Sequence, residues 1–218
     1  MASQREDERP QPRLYLVTPP LADSAGFPDA LEAALGAADV AAVLVRIADD
    51  SESTQIKRVK AIATAIQNVE AALILDNRPD LVARARADGA HLRGIEAFEA
   101  AVGELKPNGI AGAGEMLTRH DAMLAAERGA DYVMFGEPDS SGHRQPFDLI
   151  LERIEWWQDV FQTPCVGFAA SLDEVPLLAR TGADFVALGD FVFDGKRTAS
   201  DIVAEAAAAL VIQPERTE

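Results

Sequence analysis

Gly129-Ala130-Asp131-Tyr132-Val133-Met134-Phe135 places small residues, an aspartate and a short apolar run in immediate succession. Small residues commonly end a helix and turn the chain. The apolar run that follows has the length and two-faced hydrophobicity of a parallel strand covered by helices. The same pattern stands at Gly182-Ala183-Asp184-Phe185-Val186-Ala187-Leu188 and at Ala87-Asp88-Gly89-Ala90-His91-Leu92. A fourth copy is Ala37-Ala38-Asp39 before Val40-Ala41-Ala42-Val43-Leu44-Val45. The copies recur about every fifty residues, each after a helical pattern. Between them lie Leu14-Tyr15-Leu16-Val17, Ala71-Ala72-Leu73-Ile74-Leu75, Gly109-Ile110-Ala111-Gly112 and Pro164-Cys165-Val166-Gly167-Phe168. Helical patterns alternate with these runs, for example Ser53 to Asn68, Thr118 to Arg128 and Phe147 to Asp159. Each repeat therefore holds two strand-plus-helix units, and the fold class is parallel α/β. Eight units in about 200 residues predict a (β/α)8 barrel. An open doubly wound sheet is the alternative, but Thr18 is followed by Pro19-Pro20-Leu21, not by a glycine-rich phosphate turn.

Composition narrows the function. The chain has 218 residues, 48% hydrophobic and 26% charged, with Lys plus Arg 20 against Asp plus Glu 36 and a net charge of −16. Such a chain is globular and repels both a nucleic-acid backbone and an anionic bilayer. The single cysteine, Cys165, excludes an internal disulfide, and no Cys/His spacing suits structural zinc. The longest apolar run, Ala206 to Ile212, is far short of a membrane span, and the stretch from Met1 to Arg9 lacks the apolar core of a secretory signal. The expectation is a cytoplasmic protein with disordered tails at 1–13 and 213–218 and one barrel over 14–212. Its partner would be a small molecule, with no nucleic acid and no membrane, and a homodimer is allowed.

Barrels of this kind keep function at the carboxyl ends of strands and stability at the other end. Asp39, Asp131 and Asp184 precede their strands, so they should satisfy backbone donors at the barrel bottom. The carboxyl-end set holds Thr18, Arg46, Asp76-Asn77-Arg78, His91 with Arg93, Glu96, Gly114-Glu115, Glu137, Ala169-Ala170-Ser171 and Asp190. Opposite charges thus converge on one mouth. Asp76, Asn77 or Glu96 could hold Mg²⁺, which favours hard oxygen ligands together with substrate phosphate. A solvated rim of ion pairs is the other reading. Cys165 lies inside a strand and should be packed rather than reactive. Of Trp156-Trp157, adjacent on a helix, only one can face the core.

The blocks Leu73-Ile74-Leu75-Asp76-Asn77-Arg78-Pro79-Asp80-Leu81, Ala87 to Leu92 and Gly129 to Gly136, opened by Leu14 to Thr18, resemble the thiamine phosphate synthase/TenI superfamily in order and spacing. The resemblance implies a barrel that joins a pyrimidine diphosphate to a thiazole phosphate with Mg²⁺ on the leaving diphosphate. In TenI-type relatives it implies aromatisation of a thiazole precursor. It assigns catalytic roles to Arg46, Asn77 and Arg78, and metal positions to Asp76, Asn77 and Glu96. It assigns substrate contacts to Thr18, His91, Glu137, Ser140, Ser141, His143, Arg144, Ala169, Ala170, Gly189 and Asp190.

Several positions depart from the family pattern. A Gln-x-Arg-x-Lys falls on Leu44 to Ala48 and keeps only Arg46; an Asn-Asp-Arg falls on Asp76-Asn77-Arg78 with its first two members exchanged. The second metal carboxylate falls on Glu96, and a Ser/Thr/His stretch falls on Gly114-Glu115-Met116 and is lost. In the loop from Glu137 to Arg144, Ser140, Ser141, His143 and Arg144 stand where hydroxyls and a lysine would meet diphosphate. Paired phosphate-cup glycines fall on Ala169-Ala170, whose methyl groups obstruct backbone approach, while Gly189 is kept. A serine position falls on Asp190. A carboxylate about 5 Å from a phosphate charge, at an effective dielectric near 20, costs roughly 3 kcal/mol per unit charge.

Two functions follow from this balance. One is the transferase with altered phosphate contacts; the other is a barrel of the same ancestry that binds a small molecule, neutral or cationic, without that chemistry. An unrelated isomerase or aldolase fits less well, because no lysine stands at a strand's carboxyl end for a Schiff base.

Overall fold

Eight strands run parallel in chain order: β1 (Arg13–Val17), β2 (Val40–Val45), β3 (Ala72–Asp76), β4 (Gly89–Arg93), β5 (Ile110–Gly114), β6 (Tyr132–Phe135), β7 (Cys165–Ala169) and β8 (Phe185–Leu188). Each pairs with its neighbours in sequence, and β8 returns to β1, so the sheet closes into the expected barrel. Among the described residues eight α-helices cover it: α1 (Phe27–Leu35), α2 (Glu52–Asn68), α3 (Val82–Ala85), α4 (Ile95–Leu105), α5 (Arg119–Glu127), α6 (Phe147–Val160), α7 (Val175–Arg180) and α8 (Ala199–Ala209). This computed structural model describes residues 11–22 and 26–211. Of the expected tails at 1–13 and 213–218, residues 1–10 and 213–218 lie outside the described residues, and β1 already begins at Arg13. No helix among the described residues is long and apolar enough to cross a membrane.

Local chemistry sets the helix starts. Thr118 and Asp121 cap α5 reciprocally, each side chain accepting the other's backbone N–H. Ser51 and Thr198 accept the N–H of Thr54 and Asp201 at the starts of α2 and α8. The larger core lies between strands and helices and includes Leu73, Phe98, Ile150 and Trp157, all essentially inaccessible. Trp157 donates its indole N–H to the Thr163 carbonyl at 2.8 Å, whereas Trp156 is half-buried beneath the Arg119 guanidinium. The tandem tryptophans thus divide as their helical spacing requires. A second cluster fills the barrel interior, with Tyr15, Leu44, Ile74, Tyr132, Met134 and Phe168.

The repeated aspartates stitch the bottom of the ring. Asp88, Asp131 and Asp184 accept the backbone N–H of Leu73, Ala111 and Cys165, each at 2.7 or 2.8 Å and each on the preceding strand. Asp39 departs from the expected role, because it holds the Arg13 guanidinium through two bonds of 2.8 and 2.7 Å instead of a backbone donor.

Two glycines open space inside. Gly112 and Gly114 share one face of β5. A Cβ at Gly112 would collide with the Tyr132 ring, and one at Gly114 with His91 and the Glu137 carboxylate. Nothing larger than hydrogen fits at either position.

Candidate active site

The pleat that turns Ile74 into the barrel also turns Asp76 inward, and on β4 it aligns His91 with Arg93. Arg93 reaches the mouth and meets Asp76 with both ends of its fork, Nε to Oδ1 at 2.8 Å and Nη2 to Oδ2 at 3.0 Å. Its Nη1 donates to Glu115 at 2.7 Å, and Glu137 lies 4.0 Å from Nη2. Burial alone would lower the Arg93 guanidinium, but these carboxylates more than offset it and hold it above its ordinary value. Glu115 sits one residue beyond β5 in the left-handed region, with φ 50°. Its N–H on Glu137 and its carboxylate on Arg93 maintain that uncommon conformation.

Beneath Arg93 runs a buried chain of hydrogen bonds. Glu137 is 4% exposed, and its carboxylate lies 3.1 and 3.2 Å from His91 Nε2. His91 Nδ1 lies 3.0 Å from the Tyr132 hydroxyl, which lies 2.9 Å from that of Tyr15. Burial pushes the Glu137 carboxyl up, yet His91, Arg93 and the Glu115 N–H together hold it below the usual range. An ionised Glu137 can only accept, so His91 Nε2 donates. The other two bonds take their direction from the ring: a neutral His91 leaves Nδ1 to accept from Tyr132, and Tyr132 then accepts from Tyr15. Both phenols are displaced upward by burial, so they remain protonated donors.

The opposite rim is built differently. Thr18 is fully buried and positions Arg46, its hydroxyl accepting the Arg46 N–H at 3.1 Å and its carbonyl accepting Nε at 2.6 Å. Burial lowers Arg46. Its Nη2 pairs with Asp190, so the carboxylate expected to repel a ligand phosphate is already answered by a guanidinium. Arg144 crosses from the loop after β6, donates to the carbonyls of Gly136 and Phe168, and grips Glu174 at 2.7 and 2.9 Å. The same Glu174 carboxylate takes the Ala170 N–H at 2.8 Å. Ala169 is fully buried, and the Gly189 N–H is spent on the Ala169 carbonyl. The backbone donors of Ala170 and Gly189, expected to meet phosphate, are therefore both engaged by the protein's own oxygens.

Other expected residues stand apart. Arg78 is engaged by Asp80 and Gln55. Asn77 is exposed with φ 50°, and Glu96 is exposed on the first turn of α4. Ser140, Ser141 and His143 are also exposed; Asp139 organises their turn by accepting the N–H groups of Ser141 and His143 and the Ser141 hydroxyl. Asp76, Asn77 and Glu96 do not fit Mg²⁺ as arranged, because both Asp76 oxygens are engaged by Arg93 and Glu96 faces solvent. Among the described residues no three His, Cys, Asp or Glu side chains are grouped to hold an ion.

A cavity of about 280 Å³ lies beside Glu115 and Glu137, walled by Met116, Met134, Phe135 and Ile150. Sequence reading missed Tyr15, Tyr132 and Glu174. The tyrosines sit in apolar strand runs, and the one available signal was their hydroxyls opposite a strand histidine. Arg93 and Glu115 were placed at the mouth without a role.

A family model described as thiamine monophosphate synthase matches residues 14–191. The chain belongs to this family. It is 37% identical over 179 residues to the thiamine-phosphate synthase of Rhodospirillum centenum, covering 81% of this chain and 86% of that relative. The thiamine-phosphate synthase of Hyphomonas neptunium is 34% identical over 196 residues, 85% of this chain and 88% of that one. Among solved structures, the thiamine phosphate pyrophosphorylase from Pyrococcus furiosus superposes with a TM-score of 0.73 at 22% identity, covering 93% of this chain and 96% of that one. At that identity the superposition speaks for the family's barrel alone.

Proposed function

We propose that the barrel mouth performs the family's transfer, joining a pyrimidine diphosphate to a thiazole phosphate. The observation that carries this reading is family membership across the whole ring, with relatives of more than 30% identity named for that synthesis. The ion pairs at the rim are compatible with it. Asp190 is 72% exposed, so its pair with Arg46 opens at little cost and a ligand phosphate can take its place. The Arg144 and Glu174 side chains are only 16% and 18% exposed, so a phosphate would displace Glu174 and free the Ala170 N–H only at the greater cost of unpairing a largely buried carboxylate. Arg46, fixed by Thr18, then meets charge that accumulates on a departing diphosphate. The cavity is at the small end of ligand sites and suits one heterocyclic ring. Glu137, ionised at its edge, can accept from an amino substituent on that ring. The setting this implies is a cytoplasmic enzyme acting on small molecules.

A ligand-binding barrel without transfer is the second reading. It is favoured by the Glu174 carboxylate seated on Arg144 and the Ala170 N–H. Mixing both phosphorylated precursors with the protein, with and without Mg²⁺, distinguishes the two. Coupled product above the blank, diminished in Arg46→Ala, supports the transferase. No product sinks it, and heat released on titrating either precursor alone would then favour the binding reading.

A further inference from the structure

The mouth holds the guanidinium groups of Arg46 and Arg93 against the carboxylates of Asp76, Glu115, Glu137 and Asp190. We propose that Arg93 is the resident cation of this mouth, occupying the carboxylate where a divalent ion would bind, so that Asp76 is not a metal ligand in this chain. The proposal takes the mouth as the functional site, but it does not depend on which reaction occurs there.

The geometry carries it. A planar fork engages both Asp76 oxygens at 2.8 and 3.0 Å, the bidentate match that guanidinium makes with carboxylate. The third nitrogen takes Glu115, and Glu137 closes the side toward His91. The Asp76 side chain is 13% and that of Arg93 21% exposed, so the pair is largely shielded from water and salt. Mg²⁺ binds at short range with near-octahedral geometry and retains several waters. Placed on Asp76 it would stand against a guanidinium that does not deprotonate. Ion and side chain therefore exclude one another, and the tethered one is always present.

The test uses the full chain freed of metal by chelation, without substrates, so that its outcome is independent of the transfer reaction. Mn²⁺ binding is followed by its paramagnetic resonance, and the melting temperature is measured in chelator and in excess Mg²⁺. We expect no Mn²⁺ site tighter than the millimolar range in the wild type and a melting temperature indifferent to Mg²⁺. Arg93→Met leaves the carboxylates without their counter-ion. It should melt lower, recover with Mg²⁺, and bind Mn²⁺ at least about tenfold more tightly than the wild type, as removal of a nearby positive charge dictates. Arg93→Lys, with a point charge that cannot bridge two carboxylates, should fall between. Stoichiometric micromolar Mn²⁺ binding in the wild type that Asp76→Asn abolishes would overturn the proposal, even if Arg93→Met does not fold. So would an Arg93→Met protein that folds and ignores divalent ions.

Discussion

Replacing Tyr132 with phenylalanine removes one oxygen from the middle of the Tyr15–Tyr132–His91–Glu137 chain and should cost far more than the same change at Tyr15. With a neutral His91 ring, Tyr132 donates to His91 Nδ1 and accepts from Tyr15. Without it, a buried acceptor on His91 and a buried donor on Tyr15 both lose their partners, at about 1–3 kcal/mol each. Tyr15→Phe leaves the Tyr132 hydroxyl still donating to His91 and removes only one incoming bond, for about 1 kcal/mol. A domain of this size melts roughly 2–4 °C lower per kcal/mol, so Tyr132→Phe should lose about 4–24 °C and Tyr15→Phe no more than about 4 °C. The double variant should cost less than the sum, because the Tyr15 donor disappears with its acceptor. Thermal and urea unfolding followed by circular dichroism give these values. Nitrogen-15 spectra of the His91 ring should show the Nε2–H tautomer. Equal losses at the two tyrosines, or a proton on His91 Nδ1 at neutral pH, would refute the polarity.

Glu174→Gln removes the charge that occupies Arg144 and the Ala170 N–H, so calorimetric titration with inorganic phosphate should show affinity rising by about tenfold over the wild type, as expected when one like charge leaves an anion site. Unchanged affinity would mean that the alanine methyl groups alone close the cup. Glu137 is held below its ordinary value, so its contribution to stability is complete above the unfolded carboxyl value near pH 4 and is lost as pH falls through the lower folded value. Acid unfolding of Glu137→Gln should accordingly show a weaker dependence on pH in that window than the wild type, from a lower starting stability. Burial pushes the Cys165 thiol up to about 12, so a disulfide reagent at pH 8 should react only when the chain is unfolded.

The ring was legible because the marks that end helices recur before every second strand. The expected helix from Phe147 to Asp159 is observed as α6, and the run at Tyr132 is β6 in full. Arg46, Asp76, His91, Glu137 and Asp190 were recognisable from their places at or near strand ends, and the fold does bring them to one mouth. Their pairing was not legible. Asp190 is separated from Arg46 by most of the chain, and only closure of β8 onto β1 makes them neighbours. Arg93 meets Asp76 across β3 and β4, where a single register step would have turned either side chain outward. Glu174 escaped notice because it lies in a short helical turn after β7, where an acidic residue ordinarily meets solvent. Glu115 adopts a backbone conformation that glutamate rarely takes, which local propensity cannot anticipate.

The bottom stitches are not equivalent. Three tie an aspartate to a neighbouring strand's own amide, while the one joining the first two strands is an ion pair between side chains 48% and 71% exposed. Dissolved electrolyte weakens that joint and leaves the others almost untouched. The amino-terminal strand is thus the one whose lower anchor depends on ionic strength. Its amides should be the first among the strands to trade hydrogen for deuterium as ionic strength rises, and its departure would bare the flanks of the second and eighth strands to any other unpaired edge in solution.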